Sequence, residues 1–252
     1  MRNLILLAAL FSPLALADAI SVAANSVLRL PNKSSVVHLQ RLDVADSATL
    51  LLPGSLVELK VDELHMGREA RIAIVPADAP LKIEVGRARL DEASQISARG
   101  APGTHERAAR AGRNLDLQLH ALQAQVLAID ARGGAGAPGY VGLDGANGKA
   151  AGCTWGQASS GADGDNGGNG QNGAPGGRVL LAVPSDFAAE RIKVQLDGGA
   201  PGIAGAAGKP GAGGASKGCL VYRTAPGTAG KPGVAGQPGL AGAEGELILK
   251  RL

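Results

Sequence analysis

Two cysteines carry the clearest chemistry in this chain. Cys153 and Cys219 are the only cysteines in its 252 residues, and each interrupts a glycine-rich stretch. In a secreted protein such a pair is typically oxidised, because oxidising compartments keep disulfides intact. We therefore predict a disulfide between Cys153 and Cys219; two free thiols are the alternative. The loop that it would close is long, and loop entropy assigns such a bond roughly 4 kcal/mol of stabilisation.

Aromatic side chains make up only 2% of the chain, and several of them lie near the cysteines. Such rings either form a small apolar plug over the disulfide or expose a platform for a sugar or protein ligand. Loops on a rigid scaffold commonly carry binding, so the segments from Thr154 to Ser160 and from Leu220 to Ala225 are the candidates for recognition. The predicted binding site therefore consists of Trp155, Tyr222, Tyr140, Thr154 and Arg223.

Oxygen-bearing side chains cluster just after residue 160. Asp163, Asp165 and Asn166 are weak candidates for calcium ligands, since calcium binds carboxylate and amide oxygens. This run faintly resembles the glycine- and aspartate-rich calcium nonapeptides of secreted bacterial repeats. It lacks their recurring apolar position, so solvated outer side chains are the alternative. The four histidines show no metal-ligand spacing, and we predict no resident cofactor.

The carboxylates of the first half of the chain do not predict an active site. They show no pairing beyond ordinary surface alternation, and include Asp62, Glu63, Glu69, Glu84, Asp91 and Glu92. The sequence also lacks a nucleophile elbow, a phosphate loop and a zinc motif. We therefore expect no enzyme; the least favoured alternative is a polysaccharide-active β-helix enzyme. A net charge of +3 is too small to predict nucleic-acid binding.

Glycine recurs at every third residue in four stretches, which are 133–148, 161–176, 199–214 and 227–245. A period of three suits a polyproline II backbone, in which one edge per turn faces a neighbouring chain. The stretches come in pairs around a cysteine, so each pair is predicted to fold back as a hairpin of about 45 Å with its cysteine at the tip. Every proline within the triplets occupies the position just before a glycine, and the sequence alone gives no cause for this bias. These prolines include Pro138, Pro175, Pro201, Pro210, Pro232 and Pro238.

A second repeat, of about 22 to 24 residues, runs through the rest of the chain. Its uninterrupted copies begin at Leu39, Val61 and Val85 and share the same apolar offsets. Alternation of period two predicts half-buried strands, and a short repeat of such strands is typical of solenoid coils. We predict an all-β fold: a right-handed β-solenoid (β-helix) with inserted glycine-rich polyproline II hairpins that form an antiparallel bundle. A β-sandwich of antiparallel strands is the alternative.

The start of the chain predicts export. Met1-Arg2 precedes an apolar stretch, and small residues end it at Ala17, as in a secretory signal peptide. No stretch has the roughly 20 apolar residues of a membrane-spanning helix. The predicted domains are a signal peptide at 1–17, solenoid coils at 18–132 with a short insertion at 99–114, a first glycine-rich hairpin at 133–177, a coil at 178–197, a second hairpin at 198–245 and a closing strand at 246–252.

The Gly-X-Y triplets resemble those of secreted bacterial collagen-like proteins over roughly the last 120 residues. The paired stretches more closely resemble the polyproline II bundles of snow-flea antifreeze protein and of phage tail-tip adhesins. These resemblances imply a secreted, periplasmic or extracellular bacterial protein that is structural or adhesive and contacts an unknown surface, polysaccharide or protein. An ice- or crystal-binding module and a collagen-like trimer are the alternatives. A monomer is favoured over a homotrimer.

Overall fold

The computed structural model describes residues 19–32, 34–154 and 156–252. The predicted signal peptide, residues 1–17, lies outside this part of the chain. One 3₁₀ turn, Ala189–Arg191, is the helical element of the described residues. The strands are β1 (Ala19–Val22), β2 (Val27–Arg29), β3 (Val36–Val44), β4 (Thr49–Leu52), β5 (Glu58–Met66), β6 (Arg71–Ile74), β7 (Leu81–Leu90), β8 (Gln95–Ser97), β9 (Leu115–Ala124), β10 (Leu127–Asp130), β11 (Val179–Val183), β12 (Ile192–Gln195) and β13 (Leu247–Arg251).

The strands form two parallel sheets. The odd-numbered strands make a seven-stranded sheet in chain order, and the even-numbered strands make a six-stranded sheet. The chain therefore alternates between the sheets, and neighbours within a sheet come from successive repeats. The prediction of an all-β fold is confirmed. The alternative of antiparallel strands in a sandwich is wrong, because every pairing between these named strands is parallel.

The register of the sheets follows the apolar repeat. Leu39 pairs with Val61, Val61 with Val85, and Val85 with Leu119. All four side chains are buried, because parallel pairing stacks equivalent positions into continuous apolar rows. Each fully buried aliphatic side chain contributes roughly 1.5–3 kcal/mol. Such rows form one cluster that includes Leu42, Leu50, Leu52, Leu64, Met66, Ile72, Leu117, Ile129 and Leu181.

A left-handed corner precedes four successive strands of the six-stranded sheet. Asn25, Ser47, Glu69 and Ala93 have φ angles of 55°, 53°, 58° and 58°. The corners also bond to one another: Ser47 N–H donates to the Arg68 carbonyl oxygen at 2.8 Å, in the corner of the next repeat. A non-glycine residue in this conformation carries steric strain between its Cβ and the backbone.

Replacing Ala93 with glycine is expected to raise the free energy of unfolding by about 0.5–1 kcal/mol. The change removes the Cβ strain and loses no packing, because Ala93 is exposed; the greater freedom of glycine in the unfolded chain offsets part of the gain. Denaturant titration would measure it. Ala24→Gly is the matched control: it is an exposed alanine in an equivalent turn without a positive φ, and should destabilise slightly. Equal destabilisation by both changes would contradict the left-handed corner.

Three insertions leave the sheets at neighbouring positions. β8, β10 and β12 end next to one another, with Ser97 paired to Asp130 and Asp130 to Gln195. The chain returns at β9, β11 and β13, where Leu115 pairs with Val179 and Val179 with Leu247. The glycine-rich segments therefore start and finish along one edge of the stacked strands.

A buried arginine fixes the end of the shortest insertion. Arg113 is only 1% exposed, and its guanidinium donates to carbonyl oxygens of the preceding repeats: Ala79 at 3.0 Å, Pro53 and Val75 at 3.5 Å, and Leu56. Burial lowers the pKa of Arg113 from its ordinary value. The side chain thus supplies donors to the Leu56 and Val75 carbonyls; the Pro53 carbonyl also accepts from the Leu56 N–H at 3.2 Å.

Candidate binding site at the tips of the glycine segments

Four glycine segments support the candidate site: segment I (133–148), segment II (161–176), segment III (199–214) and segment IV (227–245). Backbone hydrogen bonds join antiparallel neighbours. Between segments I and II, Gly168 N–H donates to the Tyr140 carbonyl at 2.8 Å. Between segments II and III, Gly208 N–H donates to the Asp165 carbonyl at 2.9 Å, and between segments III and IV, Gly233 N–H donates to the Gly208 carbonyl at 3.0 Å.

Two further contacts join parallel segments. Gly142 N–H of segment I donates to the Ala206 carbonyl of segment III at 2.8 Å, and Gly167 N–H of segment II donates to the Val234 carbonyl of segment IV at 2.9 Å. Segments II and III therefore each bond to the other three. Because the backbone hydrogen bonds run between segments, the four segments support one another laterally as a single bundle.

Glycine is required where the central backbones meet. A Cβ added at Gly208 would lie well inside 3.0 Å of the Leu143 carbonyl oxygen, a separation that real Cβ atoms essentially never show. The same is true at Gly164, where the Cβ would meet the Gly208 carbonyl. Backbone thus packs directly on backbone inside the bundle.

A ladder of side-chain oxygens joins segments II and IV. Asp163 accepts a hydrogen bond from the Lys231 backbone N–H at 2.6 Å. The same contact recurs at 2.8 Å for the next three rungs, which are Asn166 with Val234, Asn169 with Gln237, and Asn172 with Leu240. The side-chain oxygens that the sequence assigned to solvent or calcium thus also satisfy backbone donors of the neighbouring segment.

Two of the three predicted calcium ligands, Asp163 and Asn166, belong to this ladder of hydrogen bonds. One side-chain oxygen each of Asp163 and Asn166 accepts a backbone hydrogen bond, and the Asp165 backbone carbonyl accepts from Gly208. Within residues 19–32, 34–154 and 156–252, no group of three or more His, Cys, Asp or Glu side chains is placed to hold a metal ion. Calcium binding by these three residues stays a prediction.

The hydrogen-bond pattern explains why prolines precede glycine. Each repeating glycine donates its N–H laterally, and the residue after glycine also donates in much of the bundle, as Asp165 does to the Leu143 carbonyl at 2.8 Å. In the described part of segments I–IV, the residue before glycine donates no backbone hydrogen bond. Proline lacks an N–H, so this position accommodates it without losing a bond.

A buried carboxylate anchors the base of the first hairpin. Asp130 is 2% exposed and accepts from Arg132 at 3.0 and 2.8 Å, while Arg99 lies 3.6 Å away. Burial opposes ionisation of this carboxyl group, but the hydrogen bonds and charge of Arg132 and the charge of Arg99 hold the pKa of Asp130 below its ordinary value. Arg99 lies where the short insertion begins, and Arg132 lies directly before the first hairpin. The Asp130 carboxylate therefore contacts the chain at the start of both insertions.

The predicted disulfide is confirmed at the opposite end of the bundle. Cys153 and Cys219 are bonded, with 5.7 Å between their Cα atoms. The Tyr222 hydroxyl donates to the Cys153 carbonyl at 2.5 Å, and Cys219 N–H donates to the Tyr222 carbonyl at 2.8 Å. An antiparallel bridge between Gly218 and Arg223 closes the second turn. The two tips, 149–160 and 215–226, are therefore fixed to each other.

A cleft of about 500 Å³ lies between the tips. Thr154 and Tyr222, both in the predicted site, face it from opposite tips. Arg223 is exposed beside Tyr222, and Trp155 lies outside the described residues. The other lining residues are Gly152, Cys153, Gly156, Gln157, Ala158, Thr224, Ala225 and Pro226.

Tyr140 is not brought to this site. Its ring covers Gly168, and its carbonyl accepts the Gly168 N–H in the middle of the bundle. At ~3.1 Å per residue, Tyr140 lies roughly 30 Å along segment I from the tip. The sequence prediction that places Tyr140 in the tip site is therefore wrong, because Tyr140 precedes the first tip by nine residues of extended segment I.

Two further residues of the second tip are prominent in the structure. Leu220 and Val221 have relative exposures of 104% and 89%. Both lie in the segment from Leu220 to Ala225, which the sequence predicts as a recognition candidate without singling out these two side chains. Together with Tyr222 they give the tip a protruding apolar end.

A second cleft, of about 380 Å³, lies on the outer face of the seven-stranded sheet. Its charged side chains are already paired: Arg87 contacts Glu63, Arg41 lies 3.6 Å from Asp43, and Arg89 lies 3.4 Å from Asp91. Exposed ion pairs of this kind contribute little to stability and leave no uncompensated charge for a ligand. The tips are the stronger candidate site.

The sequence matches no model of a known protein family, and comparisons with curated proteins and with solved structures give no match. Among the described residues, no helix is long and apolar enough to cross a membrane. The function must therefore be argued from the fold and the tip alone.

Proposed function

We propose that this chain is an exported, non-enzymatic structural or adhesive protein that presents a disulfide-locked tip to a surface, matrix polymer or protein partner. The observation that carries the proposal is the tip itself. Cys153–Cys219 joins two hairpin ends at the far end of a laterally bonded bundle, where a cleft and exposed side chains face solvent. A rigid support with an exposed end is suited to contact, because little conformational entropy is lost on binding.

The two halves of the molecule have separate roles in this proposal. The stacked parallel strands form a right-handed β-solenoid that serves as a platform, which is supported by alternation of the chain between two sheets in repeat register. The glycine segments are polyproline II rods, since their hydrogen bonds are lateral and polyproline II has no internal ones. On this basis the solenoid covers 18–132, 178–197 and 246–252, with hairpins at 133–177 and 198–245.

The proposed location is the periplasm or the exterior of a bacterial cell. A disulfide is compatible with an oxidising compartment, and residues 1–17 carry the features of a signal peptide. Although the triplets resemble collagen, we favour a monomer over a homotrimer. One chain supplies antiparallel neighbours to its own segments, whereas collagen requires three parallel strands.

A binding panel tests the function. The protein would be applied to an acidic polysaccharide gel, a neutral polysaccharide gel and phospholipid vesicles, with Tyr222→Ala/Arg223→Ala as the tip variant. We expect the wild-type protein to bind at least one surface and the variant to bind about tenfold more weakly, because tyrosine and arginine dominate contact energies.

Tyr140→Ala is the matched control for this panel, since Tyr140 is an exposed tyrosine far from the tip. It should bind like the wild-type protein. Binding that does not depend on the tip, or no binding to any surface, would contradict the proposal. Release of sugars from the acidic polysaccharide would contradict its non-enzymatic part.

A further inference from the structure

The two tips have an unbalanced charge. Residues 149–160 and 215–226 contain Lys149, Lys217 and Arg223 and no aspartate or glutamate. All three cationic residues are exposed, and no ion pair involves them within the described part of the chain. The outward-facing sheet charges, by contrast, are largely paired. The tip therefore presents positive charge that no described residue neutralises.

The tips also carry two exposed aliphatic side chains. Leu220 and Val221 stand at the turn of the second tip, fully or almost fully exposed, beside a half-exposed Tyr222. The turn cannot fold back onto the bundle, because Cys219 is tied to Cys153 and Thr224 N–H donates to the Lys217 carbonyl at 3.0 Å. None of the described residues covers these two aliphatic side chains, which are therefore free to contact an outside surface.

We propose that the tip binds an anionic lipid surface, with Leu220 and Val221 in the headgroup–acyl boundary and Lys217, Arg223 and Lys149 against the headgroups. This inference rests on the proposed function, in which the tip is the contact end. Aliphatic side chains flanked by cations, with an aromatic ring beside them, are the composition that interfacial membrane binding uses.

Shape favours a lipid surface over a protein partner. The Leu220 and Val221 side chains protrude into solvent from the turn of the second tip and do not line the cleft between the tips. A protein partner would need a preformed pocket for them, whereas a fluid interface adapts to any protruding apolar end. The charge pattern agrees, since an anionic leaflet attracts each nearby Lys or Arg side chain.

The expected binding is shallow and reversible. Burial of Leu220 and Val221 strengthens binding by roughly tenfold for each side chain. Each cation near an anionic surface adds about fivefold. With so few inserted groups, release by salt is expected, because salt screens the cationic part of the interaction.

Vesicle co-sedimentation tests this inference, with phosphatidylcholine vesicles containing phosphatidylglycerol against phosphatidylcholine alone. The variants are Leu220→Ser/Val221→Ser and Lys217→Gln/Arg223→Gln. Val234→Ser/Leu240→Ser is the matched control, because these aliphatic residues are 67% and 71% exposed on segment IV, away from the tip. Unchanged circular dichroism and an intact disulfide confirm that each variant is folded.

We expect binding to the anionic vesicles only, a loss of about a hundredfold in the aliphatic variant, about twenty-five-fold in the charge variant, and no loss in the control. No vesicle binding by the wild-type protein, or equal loss in the control, would overturn the inference. If the tip variant loses binding to a polysaccharide while no vesicles bind, the lipid inference fails and the proposed function stands. If nothing binds through the tip, both fail.

Discussion

Replacing Gly208 with alanine is expected to disrupt the glycine bundle while leaving the two sheets folded. Gly208 lies in central segment III, where a Cβ would overlap the Leu143 carbonyl. Its N–H donates to Asp165 at 2.9 Å, and its carbonyl accepts from Gly233 at 3.0 Å. Moving the backbone away from Leu143 therefore breaks bonds on two other sides as well. Overpacking and the lost hydrogen bonds together should destabilise the bundle by about 3–5 kcal/mol.

Hydrogen exchange read by mass spectrometry would locate this effect. Peptides from segments I–IV should exchange faster in Gly208→Ala, whereas peptides from β3, β5 and β7 should keep their protection. Gly218→Ala is the matched control, because a Cβ at Gly218 meets nothing within 4 Å. That variant should exchange like the wild-type protein. Equal protection in Gly208→Ala and the wild-type protein would show that the segments do not pack backbone on backbone.

Replacing Arg113 with methionine is expected to lower the free energy of unfolding of the stacked strands by about 3 kcal/mol. The change leaves the buried Leu56 carbonyl, and the more weakly bonded one of Val75, without a donor. The Pro53 carbonyl keeps the Leu56 N–H as a donor at 3.2 Å, and Ala79 is exposed to solvent. Each unsatisfied buried acceptor costs about 1–3 kcal/mol, and removal of the buried charge offsets part of the sum. Denaturant titration of the sheet signal measures the result.

Two further variants sharpen this test. Arg113→Lys keeps the charge but lacks the planar set of donors, so it should recover only part of the loss. Arg71→Met is the matched control: the Arg71 side chain is exposed and donates to Gln95 at 3.0 Å, and its loss should change stability by less than about 0.5 kcal/mol. If Arg113→Met is as mild as Arg71→Met, the buried guanidinium does not support the interior.

The apolar rows were predictable because parallel stacking repeats a local pattern. Leu39, Val61 and Val85 share their offsets in the sequence, and they pair in the sheet. The disulfide was predictable for a related reason, since each cysteine marks the reversal between two glycine segments. In both cases the physical constraint acts on residue types, and the sequence displays it directly.

Arg113 and the side-chain ladder were not predictable in the same way. The partners of Arg113 are backbone carbonyls such as Ala79 and Leu56, which any residue supplies. The pairing of Asn169 with Gln237 depends on how segment II aligns with segment IV, and uniform glycine triplets permit many alignments. Long-range backbone contacts therefore needed the structure.

Segments I–IV bond laterally to one another within a single chain. Sedimentation equilibrium, run with and without reductant, measures whether the protein is a monomer in solution. We expect the mass of a single chain under both conditions, together with a polyproline II dichroism signal. A mass of three chains with a sharply melting triple-helix signal would contradict this expectation.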